Sequence, residues 1–108
     1  MGHTHKIEFT RFGPGVDADI VHTDRITIVN WSIAEGTPIP EHSHTNEQVV
    51  NVLEGELEFC IDGETQVLTA GTITIVPSNA VHSGVALTDC KVIDTFCPVQ
   101  KRFALDRD

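Results

Sequence analysis

The chain has few basic residues. Its 108 residues include only seven Lys and Arg against sixteen Asp and Glu, which gives a formal net charge of −9. A surface this acidic repels phosphate backbones, and the sequence has no basic stripe to reverse this, so we expect no nucleic-acid partner. The charge does not exclude an acidic small-molecule substrate, because a metal ion in a buried site would attract it locally.

Long apolar runs are also absent. No run approaches the ~20 residues that a membrane-spanning helix needs, and residues 1–6 are not followed by the apolar core of a signal peptide. We therefore expect no membrane association and a cytoplasmic location. The three cysteines form no CxxC pair, which predicts reduced thiols at Cys60, Cys90 and Cys97.

Helical periodicity is missing as well, and an alternation of apolar and polar residues replaces it. This alternation predicts short strands separated by Gly, Pro and Asn turns, as in an all-β sandwich or barrel. Asp62-Gly63 lies between two such runs and predicts a tight hairpin. The predicted strands are residues 26–33, 48–53, 56–61, 66–68, 72–76, 81–87 and 91–96.

The sequence leaves two structural alternatives for each of the two remaining segments. Residues 1–20 fit either an edge strand or a loose arm, and residues 100–106 fit either one helical turn or a tail. The chain length suits one domain, residues 1–108, with no linker or repeat.

One residue separates His42 from His44. Side chains two apart on an extended segment share a face, and Gln48, four residues further on, shares it too. Two imidazoles and an amide oxygen suit a divalent transition metal such as Fe, Mn, Ni or Zn. His82 would complete the set if a neighbouring strand carries it across the barrel. A His-x-His pair alone is a weak signal, since many such pairs are surface histidines.

The residues around these histidines resemble the first motif of the cupin family. That motif consists of a Gly, five residues, His-x-His, three residues, an acid, six residues and a second Gly. The matching positions are Gly36, His42, His44, Gln48 and Gly55.

The second cupin motif resembles residues 71–86. Gly71, Pro77 and His82 match it, whereas Asn79 replaces a usual Gly and Ala86 a usual Asn. The resemblance implies a single-domain cupin, that is, a double-stranded β-helix or jelly-roll barrel. It also implies one divalent transition metal ion per chain. The implied ligands are His42, His44, Gln48 and His82.

Gln48 stands where most cupins have an acid. Glu47 is the alternative, but it would point to the opposite face of the strand, and the count of six residues to Gly55 also selects Gln48. A neutral ligand leaves the metal a stronger Lewis acid. This suits isomerisation or lyase chemistry on an oxygenated substrate, although oxygen chemistry stays open.

The end of the chain resembles one group of small cupins, which opens and ketonises unsaturated uronates released by pectin and alginate lyases. Their Asp-x-Phe-x-Pro ending is matched by Asp94, Phe96 and Pro98. The resemblance implies that Asp94 is the catalytic carboxylate. Asp94 has the same parity as Val92 and Phe96, and apolar neighbours would raise its pKa toward a useful acid–base value. The alternative is a buried carboxylate that only hydrogen-bonds a neighbouring strand.

One position departs from that group. Its members usually carry an Arg two residues after the Pro, placed to hold the substrate carboxylate, and this chain has Gln100 there. Lys101 or Arg102 could take the role instead. The planar guanidinium favours Arg102 because it binds a carboxylate through two hydrogen bonds. The alternative for Arg102 is a solvated tail residue.

The resemblance therefore implies an isomerase-type, metal-dependent enzyme of carbohydrate metabolism that opens or ketonises a small unsaturated sugar acid. Other cupins are hydroxynitrile lyases or dioxygenases, and a non-catalytic cupin that binds a small ligand is a further hypothesis. The apolar residues Val49 and Leu53 face away from Gln48, which predicts a homodimer that covers them. Trp31 is expected in the core or at that interface.

Overall fold

The computed structural model describes residues 2–105, which form two antiparallel sheets packed face to face. In chain order the strands are β1 (Thr10–Gly13), β2 (Val16–His22), β3 (Thr27–Ile33), β4 (Pro38–His42), β5 (Glu47–Glu54), β6 (Glu56–Ile61), β7 (Glu64–Thr69), β8 (Thr72–Val76), β9 (His82–Ala86) and β10 (Cys90–Cys97), followed by the helix α1 (Lys101–Leu105). The larger sheet has the order β1-β2-β3-β10-β5-β8 and the smaller has β4-β9-β6-β7. The all-β jelly-roll prediction is confirmed.

Every strand that the alternation predicts is present, and β1, β2 and β4 are additional. Two of these three, β1 and β4, are edge strands of their sheets. β4 has the sequence PIPEH. Its two prolines argue against a strand in the sequence, because proline cannot donate a hydrogen bond to a sheet ladder. β2 instead begins within residues 1–20, whose structure the sequence left open, and ends at His22.

Residues 101–105 form the helical turn that the sequence left as one alternative, while Asp106 lies outside the described residues. The expected domain, residues 1–108, likewise extends beyond the described part of the chain by residues 1 and 106–108. Among residues 2–105, no helix is long and apolar enough to cross a membrane.

The predicted hairpin at Asp62-Gly63 joins β6 to β7. Ile61 pairs directly with Glu64, which leaves a two-residue loop. Both loop residues have positive φ angles, 48° at Asp62 and 84° at Gly63. This is the backbone that the favoured two-residue hairpin turn requires, and Asp-Gly adopts it readily.

Strand β10 lies in the middle of the larger sheet, hydrogen-bonded to β3 on one side and β5 on the other. Its burial alternates, so that Val92, Asp94 and Phe96 point inward. On β5 the inward residues are Gln48, Val50 and Val52. The register pairs Gln48 with Phe96 and Val50 with Asp94, which brings two polar side chains together in an apolar interior.

Candidate metal centre and cavity

Three histidines meet where the two cupin-like segments face each other. His42 ends β4, His82 begins β9, and the two are partners in the β4–β9 pair. His44 follows in the loop before β5. One ring nitrogen from each lies within 4.8 Å of the others. Residues that are far apart in sequence therefore form one cluster, because the sheet pairs the strands that carry them.

Each of these histidines donates its Nδ1–H to a nearby backbone carbonyl. The acceptors are Pro40 O for His42 at 2.7 Å, Asn46 O for His44 at 3.1 Å and Ala80 O for His82 at 2.9 Å. A neutral imidazole with its proton on Nδ1 has a lone pair on Nε2. A carbonyl acceptor at each Nδ1 favours the tautomer that binds a metal ion through Nε2.

His82 is the most deeply buried member of the cluster, with 2% of its surface exposed. Its Nε2 is buried and has no hydrogen-bond partner among the described residues. Burial lowers the pKa of His82, and the neighbouring His42 and His44 lower it further. A neutral ring with an unused lone pair is what a metal ion requires of a histidine ligand.

Gln48 lies beside the cluster and is buried, with 5% exposed, whereas Glu47 is exposed. The Gln48 Oε1 lies 3.0 Å from the His44 Nε2. When the His44 proton is on Nδ1, where it bonds to Asn46 O, the Gln48 Oε1 and the His44 Nε2 are two acceptors that face each other. A cation bound by both atoms removes their repulsion, and adjacent ligands about 2.1 Å from one ion lie about 3 Å apart at a right angle. The residues present fit a divalent metal ion.

Asp94 lies behind Gln48 on the inward face of β10, with 9% of its surface exposed. Burial raises the pKa of Asp94 to about 6, although Gln48 and Trp31 act in the opposite direction. Its Oδ2 accepts a hydrogen bond from Trp31 Nε1–H at 2.9 Å. Its Oδ1 is buried without a hydrogen-bond partner in the described part of the chain. One carboxyl oxygen is therefore held by the indole N–H, whereas the other is not.

The segment after β10, residues 98–100, is hydrogen-bonded to residues near the site. Asn46, which is 5% exposed, donates to Pro98 O at 2.6 Å and to Val99 O at 3.3 Å. The Gln100 backbone N–H donates to Thr27 Oγ1, and its Oε1 accepts from the Arg102 backbone N–H. Gln100 is thus a buried residue that caps the first turn of α1, and its side chain is already engaged.

Arg102 lines a cavity of about 230 Å³ that Gln48 and Asp94 also line, together with two of the three histidines. Among the described residues that line this cavity, Arg102 is the one Lys or Arg. Lys101 is exposed and does not line it. Arg102 is an exposed residue, and its guanidinium carbon lies 5.6 Å from the centroid of the Phe103 ring.

The walls of the cavity are largely apolar and aromatic. Phe103 is 5% exposed and lies 5.5 Å from Phe96, whose ring in turn lies 5.5 Å from that of His44. Phe12 and Trp31 complete the aromatic group around Phe103. A low-dielectric wall strengthens every electrostatic interaction at the few polar groups.

Sequence reasoning missed Trp31 as a residue of the site. Trp31 packs against both apolar clusters, in line with the expected core position, but it also lines the cavity and binds Asp94. The parity of β3 puts Trp31 on the same face as Val29, which the sequence pattern could have revealed. The pairing of β3 with β10 has no local sequence signal.

Asn79 occupies a position where the second cupin motif has Gly. Its φ angle is +67°, in the left-handed region that glycine favours and that Asn tolerates better than most residues. Its backbone N–H donates to His44 O at 2.8 Å. The substitution therefore keeps the turn that ties the segment before His82 to the loop carrying His44.

Comparison with known protein families gives a match to the cupin domain over residues 29–96. The pectin degradation protein KdgF of Dickeya dadantii is 31% identical over 94 residues, which cover 84% of this chain and 86% of that protein. These matches span both segments that supply the histidines.

Two solved structures superpose closely on this chain. KdgF from a Halomonas species superposes with a TM-score of 0.84 at 28% identity, over 89% of this chain and 90% of that one. An RmlC-like cupin from Shewanella frigidimarina superposes with a TM-score of 0.85 at 31% identity, over 91% and 89% of the two chains.

Proposed function

The chain belongs to the cupin family, and from that premise we propose that it is a metal-dependent isomerase that opens and ketonises a small unsaturated sugar acid. One observation carries this proposal above the others: a buried carboxyl, Asp94, shares a cavity with His42 and His82 of the three-histidine cluster. Its pKa of about 6 suits proton exchange near neutral pH. The name of the Dickeya relative, a pectin degradation protein, agrees with this substrate class.

We assign His42, His44, Gln48 and His82 as the ligands of one divalent transition metal ion per chain. Three fixed Nε2 lone pairs and one amide oxygen suit Fe, Mn, Ni or Zn. When bound, the ion supplies Lewis acidity that polarises a carboxylate or hydroxyl oxygen of the substrate. Gln48 contributes no charge, so it does not weaken that effect as a carboxylate would.

Asp94 carries the proton in this proposal. Ring opening breaks the bond between the ring oxygen and the anomeric carbon. The anomeric hydroxyl loses its proton as the aldehyde forms, and the ring oxygen gains a proton and becomes the hydroxyl of an enol. Ketonisation then moves the enol proton to the adjacent carbon. Asp94 Oδ1, which has no hydrogen-bond partner among residues 2–105, takes up a proton and returns it, so the reaction has no net proton or electron demand.

Arg102 is the proposed cation for the substrate carboxylate. It lines the cavity, whereas Lys101 is exposed outside it. Gln100 is unavailable for the role because its side chain accepts the Arg102 backbone N–H. A guanidinium at the mouth would orient the acid end of the sugar while its reacting end approaches Asp94.

An assay on unsaturated monouronates tests the function. Protein reconstituted separately with Fe, Mn, Ni or Zn is mixed with the monosaccharides released by pectin and alginate lyases. We expect loss of the conjugated enol absorbance above the spontaneous rate, abolished in Asp94→Ala and preserved in Asp24→Asn, which removes an exposed carboxylate. A protein that only binds the sugar would leave it chemically unchanged with every metal, and that result would overturn the proposal.

We further propose that the chain forms a homodimer through the outer face of β5 and β8. Leu53, Ile73 and Ile75 are 49%, 65% and 59% exposed there, and Val49 pairs with Ile75 across the strands. Sedimentation should show a dimer that Ile75→Lys converts to a monomer. Val67→Lys, on the exposed part of the other sheet, is the matched control and should leave the dimer intact.

Two simpler proposals follow from the chain as a whole. We propose that residues 1–108 act as one cupin domain, with its motifs at residues 36–55 and 71–86. We also propose a cytoplasmic location, because Cys60, Cys90 and Cys97 are all free thiols, as a reducing compartment would keep them. Fractionation of cells that express a tagged chain tests the location.

A further inference from the structure

The single tryptophan of the chain, Trp31, donates a hydrogen bond to Asp94 across two neighbouring strands. Asp94 pairs with Val29 on β3, and Trp31 lies two residues further along that strand. The two side chains are therefore diagonal neighbours on the inward face of the sheet, a position from which long side chains reach each other. The bond joins Nε1 to Oδ2 at 2.9 Å.

This bond makes the two oxygens of the carboxyl different. Oδ2 is engaged by the indole, whereas Oδ1 is buried and has no hydrogen-bond partner within residues 2–105. Turning the plane of the carboxyl away from this orientation would leave the part-buried indole N–H without an acceptor, which is unfavourable. The carboxyl is therefore held in one orientation.

The indole is itself held in place by aromatic neighbours. The Phe12 ring meets it nearly edge-on, with centroids 5.0 Å apart and planes at 87°. Phe103 packs on it at 5.9 Å and 67°. An indole with this packing presents its N–H in one direction, so it can fix the direction of the group that it binds.

The chemistry of indole suits this role. Trp has a single N–H donor and no acceptor, so it can neither take a proton from Asp94 nor pass one on. A hydroxyl or amide in place of the indole would also offer an acceptor, which would compete with the substrate for the proton of Asp94. Trp31 can therefore orient the carboxyl without taking part in the proton transfer.

We propose that Trp31 is the positioning residue of the site, which holds Oδ2 of Asp94 and thereby directs Oδ1 into the cavity. This inference rests on the proposed function in one respect, since it takes Asp94 as the group that moves the proton. The hydrogen bond itself can be tested without substrate or metal.

The first test uses the nuclear magnetic resonance of the indole proton. With one tryptophan, the metal-free protein gives one indole N–H cross-peak in a ¹H–¹⁵N correlation spectrum. We expect this peak to shift in Asp94→Asn, where the charged acceptor is lost, and to stay in place in Asp24→Asn. A peak that does not respond to Asp94→Asn would overturn the inference, whatever the protein catalyses.

The second test is kinetic and uses Trp31→Phe, which keeps an aromatic ring but removes the N–H. We expect kcat to fall by about 10- to 100-fold with little change in KM, because a misplaced reacting group lowers the rate more than binding. Metal content should equal that of the wild type.

The outcomes separate the two proposals. Unchanged kcat in Trp31→Phe, or a loss that appears in KM and not in kcat, would refute the positioning role while leaving the proposed function intact. If the wild-type protein ketonises nothing, the proposed function fails, and the indole resonance still decides whether Trp31 holds Asp94.

Discussion

His42 and His82 face each other across the β4–β9 pair with their ring centroids 4.2 Å apart. One comes from the first cupin segment and the other from the second, so their contact depends on the pairing of these two strands. The cluster is therefore a product of the sheet register as much as of the histidines. His44, 4.9 Å from His82 between ring centroids, completes it from the loop.

Removing either of these paired histidines should abolish metal binding. We expect elemental analysis to find about one transition metal ion per wild-type chain and nearly none in His42→Ala or His82→Ala, because the remaining ligands do not complete the site. Added metal should raise Tm of the wild type and not of the variants. His3→Ala, at an exposed histidine, should behave as the wild type. Equal metal in all four proteins would mean that these histidines are not ligands.

Gln48→Glu should change metal affinity and Lewis acidity in opposite directions. Glu adds a negative charge beside the ion, so we expect tighter metal binding, measured by competition with a chelator, together with a kcat lower by about 10-fold. Gln48→Ala should weaken metal binding instead. Glu47→Gln, the same chemical exchange in reverse at an exposed neighbour, is the control. An effect of Glu47→Gln as large as that of Gln48→Glu would contradict the assignment.

Asp94 should make the metal-free protein less stable at high pH. Burial raises its pKa from 3.8 to about 6, so the folded state binds this proton more tightly than the unfolded state does. The free energy of unfolding then rises as pH falls from about 6 toward about 4. Asp94→Asn should be more stable than the wild type near pH 8 by up to about 3 kcal/mol, and the difference should vanish near pH 4.

Urea unfolding of the metal-free proteins across this pH range measures the effect. Asp24→Asn, at an exposed position, corrects for the loss of one negative charge from a chain of net charge −9. A stability difference between wild type and Asp94→Asn that is the same at every pH would show that the carboxyl is not buried in its charged form.

Arg102 and Lys101 differ in their relation to the cavity, and their variants should differ in kinetics. We expect Arg102→Gln to raise KM for a carboxylated substrate by about 10-fold or more, since a charge-assisted pair is lost. Arg102→Lys should recover part of the affinity, because Lys keeps the charge but not the two-point geometry. Lys101→Gln is the matched control and should be close to wild type. A larger effect at Lys101 would exchange the two roles.

The two glycines that frame the first cupin segment should tolerate alanine differently. Gly36 and Gly55 have φ angles of +83° and +89°, so Ala strains the backbone at both, by about 1–2 kcal/mol. At Gly55 the added carbon would also collide with the Asp89 carbonyl oxygen, whereas at Gly36 no heavy atom beyond the adjoining residues lies within 4 Å of it. Thermal unfolding should therefore show a much larger loss for Gly55→Ala. Equal losses would mean that the chain near Asp89 moves aside.

Much of the site could be predicted because its geometry is local. The single extended segment expected to carry His42, His44 and Gln48 is wrong, because His44 lies in a loop between β4 and β5, which belong to different sheets. The parity of Gln48 against Glu47 and of Asp94 with Phe96 does predict which of these side chains point inward. These are relations over a few residues, and the structure has them: Gln48 and Asp94 are buried, and Glu47 is exposed. Asp62-Gly63 is predictable for the same reason.

The relations that escaped prediction are between distant residues. Trp31 and Asp94 are 63 positions apart and meet only because β3 lies beside β10. Asn46 holds the carbonyl of Pro98 from 52 positions away, and this bond fixes the segment that leads to Arg102. Composition and periodicity carry no information about which strands become neighbours.

Strand β10 has hydrogen-bonded neighbours on both sides along its length, and this has a consequence for genetics. From Val92 to Phe96 both neighbours keep a regular register, so one extra residue inserted just after Val92 would exchange the faces of the residues that follow it. Ile93 would then occupy the inward slot of Asp94, and the carboxyl would point away from the cavity. In a screen of insertion mutants for growth on the substrate, we expect such a mutant to be inactive even if its apolar core still forms.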